Sequence, residues 1–75
     1  MMTDDTSTSG NVVRVTRPDG AQELYDVAIA DPGEAEAKIS VAIQATNERI
    51  EAIEGIPKSV LDSLMLPAGT FRKRL

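Results

Sequence analysis

The stretch DPGEAEAKISVAIQATNERIEAIEGIP, residues 31–57, decides the fold, because whatever it forms sets what the flanking segments must pack against. Its opening, Asp31-Pro32-Gly33-Glu34, reads as a helix start. Aspartate caps the first N–H groups, proline suits the first helical position, and glutamate sits near the positive end of the helix dipole. Beyond it Ala35, Ile39, Ala42, Ile43, Thr46, Ile50 and Ile53 recur mainly at steps of three and four, while Glu36, Lys38, Gln44, Asn47, Glu48 and Glu51 fall mostly elsewhere. Gly55 suits the left-handed position after a helix, Ile56 can fold back onto the last turn, and Pro57 forbids continuation. The spacing predicts one amphipathic helix over 32–54. A second reading of the same residues breaks the helix near Thr46-Asn47 and makes 49–54 a third strand, with Ile50 and Ala52 on one face.

Working outward, Val13, Val15, Tyr25, Val27 and Ile29 alternate with polar or small neighbours, the two-residue period of half-buried strands. Pro18-Asp19-Gly20 between them is a three-residue turn, which sets Arg17 against Ala21 and Val13 against Tyr25. Leu24 falls on the other face. A two-stranded ribbon is not stable alone in water, so the helix is expected to cover it. Past Pro57, Val60, Leu61, Leu64 and Met65 keep helical spacing up to Pro67, predicting a short second helix with Ser59 or Lys58 near its start. The expected fold is therefore α+β: a β-hairpin, a long amphipathic helix packed on it, then a short C-terminal helix. The alternative order is ββαβα, with the third strand near 49–54.

Residues 1–11 hold no aromatic or β-branched aliphatic side chain and are expected to be a disordered arm. One small domain spans 12–69. Residues 70–75 form a basic tail, either frayed or extended along the hairpin edge with Phe71 as anchor.

With 75 residues the chain has room for one core and no second domain. It contains no cysteine and no histidine, which removes disulfides, thiolate chemistry, and the commonest metal ligand and general base. No basic segment leading into an apolar run follows Met1, and no apolar run approaches membrane-spanning length, so a cytoplasmic protein with no membrane partner is expected. The net charge of -4 sets an acidic body against a tail that carries Arg72, Lys73 and Arg74. The body repels nucleic acid, and the tail alone could contact phosphates or an acidic partner.

Nothing in the chain assembles catalytic machinery. Lys58 beside Ser59 points two ways on a helix, and Ser59 is better explained as a cap. Glu48, Glu51 and Glu54 stand three apart but lack a calcium-loop pattern, and a solvated face explains them. The five glycines are scattered and make no phosphate loop, so no cofactor, metal or small-molecule substrate is implied. Tyr25 reads as a strand core residue with its hydroxyl at the edge.

A helix over 32–54 would be about 35 Å long, whereas strands of about six residues reach about 20 Å. Ile50 and Ile53 would overhang the ribbon and call for the second helix, another copy or a partner to cover them. The expected function is thus a non-catalytic protein–protein interaction module, self-associating as a homodimer or binding another protein as an adaptor, regulator or inhibitor. Its surface is the apolar stripe Ile50, Ile53, Ile56, Val60, Leu64 and Met65, or the edge of the hairpin. The alternative is a small nucleic-acid-associated regulator that uses Arg72, Lys73 and Arg74.

Overall fold

The computed structural model describes residues 8–74. Its elements run β1 (Thr8–Thr16), β2 (Gln22–Val27), α1 (Pro32–Ala42), β3 (Arg49–Pro57), α2 (Lys58–Ser63) and β4 (Phe71–Lys73). The strands form one antiparallel sheet in the order β3-β1-β2-β4.

The hairpin forms with the expected geometry. Val13 faces Tyr25, Arg17 N–H donates to Ala21 O at 2.8 Å, and Gly20 takes a positive φ of 93° that a side chain would resist. Asp31 caps α1, its Oδ2 accepting the Glu34 N–H at 2.8 Å, with Pro32 behind it in the first turn.

The long helix over 32–54 does not form, and this corrects the expected fold. α1 ends at Ala42, where Gln44 enters the left-handed region at φ 54° and Ala45 N–H reaches back to Ser40 O at 2.9 Å. Thr46 and Asn47, both poor helix formers, then carry the chain around, and Glu48 holds the turn by accepting the Thr46 N–H at 2.9 Å. Downstream, β3 lays Ile50 opposite Val15 and Ala52 opposite Val13. Strand pairing thereby buries apolar surface that a helix would have left beyond the ribbon. Nothing overhangs, so the length argument for a dimer goes with the helix.

The threefold spacing Ile50, Ile53, Ile56 has a different cause. The β1–β3 register slips by one between Val13↔Ala52 and Val12↔Glu54, making Ile53 an extra residue on β3. Before the bulge, Ile50 and Ala52 pack with Val13, Val15, Tyr25, Val27, Ala35 and Ile39 on the face that α1 covers. After it, Ile56 joins Val12, Ala28 and Leu61 on the opposite face, under α2. The strand changes faces at Ile53.

One other expectation is corrected, and of the two readings of the tail the extended one, along the hairpin edge with Phe71 as anchor, is the one that forms. The proposed arm reached Asn11, but β1 begins at Thr8; residues 1–7 lie outside the described residues. Backbone fit, not side-chain hydrophobicity, brings 8–11 into the sheet. Gly10 passes so close to the Val27 carbonyl that an added Cβ would collide with it, and would also meet Leu61 Cδ1 at 3.1 Å. Asn11 is buried and donates through Nδ2 to Ile29 O at 2.8 Å and Ala30 O at 3.0 Å, pinning the loop that leads into α1. The tail, in turn, is β4, with Phe71 against Tyr25 at a ring-centroid distance of 6.0 Å; Leu75 lies outside the described residues.

Gly10→Ala is expected to destabilise the protein by about 1 to 3 kcal/mol, the cost of forcing extra volume against a backbone that must shift. Urea unfolding measures this, and an unchanged midpoint would contradict the close approach.

Candidate functional site

The six residues expected to make one apolar stripe are dispersed. Ile50 packs under α1, Ile56 is buried under α2, Ile53 is exposed at the bulge, and Leu64 is half-buried. Only Val60 and Met65 leave large apolar surface in water on α2 and its C-terminal turn, at 43% and 86% exposure.

The local chemistry explains why. α2 is six residues long and starts without a side-chain cap; Pro57, not Ser59, occupies the cap position. Leu61 is its anchor in the core. The helix is closed by two bonds, Met65 N–H to Asp62 O and Leu66 N–H to Leu61 O, each 3.0 Å, which require a left-handed residue between them. That residue is Met65, at φ 56°. A position suited to glycine thus carries a methionine whose side chain extends into solvent. Beside it lies an open depression of about 340 Å³ lined by Leu61, Asp62, Met65, Leu66 and Pro67. Lys58 Nζ pairs with Asp62 Oδ2 at 3.0 Å on its exposed flank, so Lys58 is engaged with an acid and not with Ser59.

The basic tail has internal partners. Asp26 is 1% exposed, and its Oδ1 accepts from Arg74 Nε at 2.9 Å and lies 2.8 Å from Arg74 Nη2; its Oδ2 lies 3.4 Å from Arg72 Nε. On the other face Lys73 Nζ reaches Glu23 Oε2 at 3.3 Å. Alternation along β4 sends Arg72 and Arg74 to one side of the sheet and Lys73 to the other. The Asp26 carboxylate raises the Arg74 guanidinium pKa, chiefly through their hydrogen bond. A larger depression of about 510 Å³ opens where β4 ends, lined by Gln22, Glu23, Leu24, Lys73 and Arg74. Its two cations are those already paired with Glu23 and Asp26.

Glu23 also receives Arg17 Nη2 at 3.0 Å and the Tyr25 hydroxyl at 3.3 Å, and Arg17 Nη1 reaches Glu48 at 3.2 Å. Hydrogen bonding from Arg17 holds the Glu23 carboxyl below its ordinary range, and backbone N–H donors led by Thr46 do the same for Glu48. Burial, followed by the Glu23 charge, pushes the Tyr25 hydroxyl upward.

The acids expected three apart do not converge. Glu48 pairs with Arg17, Glu51 with Arg14 at 2.9 Å, and Glu54 is exposed beyond the bulge. Among the described residues no cluster of three or more potential metal ligands forms, and no helix is long and apolar enough to cross a membrane. Sequence reasoning passed over Asp26 and Glu36. Asp26 carried no more signal than any polar residue alternating in a strand. Glu36 proves to reach the sheet edge, where its Oε2 accepts the Ala52 N–H at 2.8 Å. Set against family models, curated proteins and solved structures, the chain matches none of them.

Two outcomes follow from the charge cluster. Replacing both Arg72 and Arg74 by alanine strands a buried carboxylate and is expected to cost about 1 to 3 kcal/mol. That is less than the roughly 3 to 5 typical of a fully buried pair, because both arginines are half exposed; a urea midpoint equal to wild type would refute it. Because Glu23 and Glu48 have depressed pKa values when folded, their contribution is present above about pH 4.3, the unfolded value, and is lost as pH falls through the folded values. The stability gap between wild type and Glu23→Gln should therefore be constant from pH 7 to about pH 5 and close below pH 4. A gap as wide at pH 3 as at pH 7 would show that the Arg17 bond does not act through the Glu23 charge.

Proposed function

We propose that this chain is a non-catalytic protein–protein interaction module whose docking surface is the exposed end of α2, centred on Met65 and flanked by Val60. The single observation behind the reading is the double cost at Met65. A side chain there strains the backbone by about 1 to 2 kcal/mol relative to glycine, and the thioether arm contributes nothing to the core that would offset it. Methionine is also well suited to the task, since its three rotatable bonds and polarisable sulfur adapt to a partner's contours. The adjoining depression offers a seat for an apolar side chain of the bound protein, and the Lys58–Asp62 pair supplies a polar rim. The alternative nucleic-acid role draws no independent support from the tail, whose three cations face Asp26 and Glu23.

The test separates stability from binding. Met65→Gly is expected to raise unfolding free energy by about 1 kcal/mol, because glycine enters the left-handed region without a Cβ clash. The same change should abolish capture of a partner from native extract by the immobilised chain, as should Val60→Ser. Equal capture by Met65→Gly, or no specific capture by wild type, would overturn the reading.

A further inference from the structure

The two edges of the sheet differ. At one, β4 brings Arg72, Lys73 and Arg74 onto Asp26 and Glu23. At the other, β3 is nine residues long, and among the described residues its backbone pairs with β1 alone.

The direction of its backbone groups follows from the hairpin. Arg17 and Ala21 are a hydrogen-bonded pair, so the odd residues of β1 turn their N–H and C=O groups toward β2 and the even ones toward β3. Thr16 and Arg14 stand opposite Arg49 and Glu51, which therefore bond inward, leaving Ile50 and Ala52 to point outward. Glu36 marks the outward direction, since its carboxylate reaches around the edge to the Ala52 N–H at 2.8 Å.

An outward row of this kind fits a strand, and the side chains select which one. If β3 pairs antiparallel with its own copy, the two-fold axis must pass through one residue. An axis at Glu51 sets two carboxylates face to face, which is repulsive. An axis at Ala52 needs both N–H groups that Glu36 holds, and runs into the bulge at Ile53. An axis at Ile50 makes the outward N–H and C=O of Ile50 reciprocal partners, and it sets Arg49 of each copy opposite Glu51 of the other, twice. Arg49 is exposed and makes no ion pair among the described residues, while Glu51 has only Arg14. In that register Ala52 falls opposite residue 48 of the second copy, so its N–H must leave Glu36 for the Glu48 carbonyl.

We propose that β3 is a self-pairing edge, joining two copies antiparallel about an axis at Ile50 with reciprocal Arg49–Glu51 pairs, and that Glu36 restrains the pairing by occupying the Ala52 N–H. A carboxylate on an outward N–H and a bulge one residue further on are the means by which sheets limit edge association. Here they confine it to one register and keep it weak. The joined copies would present two Met65 surfaces, but the pairing does not depend on that reading.

Sedimentation equilibrium of the full chain up to high micromolar concentration tests it, with circular dichroism as the check on folding. Wild type should show a reversible monomer–dimer equilibrium, and Glu36→Ala should tighten it about a hundredfold, roughly tenfold for the competing charge-assisted hydrogen bond that each of the two copies gives up. Arg49→Glu should weaken it about tenfold, whereas Lys38→Glu, the same charge change on an exposed α1 residue, should leave it unaltered. Two monomeric proteins, wild type and Glu36→Ala alike, would overturn self-pairing. Equal constants for Arg49→Glu and Lys38→Glu would overturn the register, and an unchanged constant in Glu36→Ala would overturn the restraint. Met65→Gly should dimerise as wild type does, so loss of the α2 surface and loss of the β3 edge are separable results.

Discussion

The structure depends on β3 lying along β1 with one residue too many. β1 is a central strand, and without β3 one whole edge of its backbone would face water while Val13 and Val15 lacked cover on one side. The extra residue, Ile53, turns the strand over between Ala52 and Glu54. A chain this short therefore builds two small cores instead of one. Ile50 and Ala52 serve the core beneath α1, and Ile56 serves the core beneath α2. Each helix is short because each covers only its own patch: α1 contributes Ala35 and Ile39, α2 contributes Leu61. The Glu36 carboxylate completes the arrangement by accepting the N–H of Ala52, the last residue before the bulge.

On the far edge the sheet is held by charge. Asp26 is buried, where a lone carboxylate would be strongly unfavourable, and two arginines, Arg72 from β4 and Arg74 just past its end, compensate it. The arginines pay less desolvation than the aspartate because their outer halves remain in water. Glu23 plays the corresponding part on the opposite face, gathering Arg17, Lys73 and the Tyr25 hydroxyl. An acidic protein with a basic end thus uses that end as structure. Its net charge describes the solvated acids of α1 and β3 better than it describes the tail.

Local signals in the sequence were legible where local chemistry decides the outcome. Pro18-Asp19-Gly20 and Asp31-Pro32 each act within four residues, and the turn, its register and the helix cap all stand as read. The helix end was not legible, because residues 43–56 satisfy a helical stripe and a bulged strand equally well, and the choice between them rests on β1, thirty or more positions away. The start of β1 was hidden for the opposite reason: Gly10 and Asn11 enter the sheet through backbone fit and amide bonds, which leave no hydrophobic trace. Of the expected surface, Val60 and Met65 remain exposed on α2 and its C-terminal turn and Ile53 remains exposed at the bulge, whereas Ile50 and Ile56 are taken up by the two cores because they belong to the strand.

Gln44 and Met65 show how far strain alone carries an argument. Both close a helix with the same pair of backbone bonds, and both sit in the left-handed region without being glycine. At Gln44 the side chain is polar and exposed, so solvation meets no penalty and the strain needs no further cause. At Met65 the same backbone cost is combined with an apolar arm standing 86% in water next to a hollow framed by Leu61, Leu66 and Pro67. Two unfavourable terms thus coincide at one residue, and nothing inside the fold relieves either of them. The contrast with Gln44 is what turns a helix cap into a candidate docking surface.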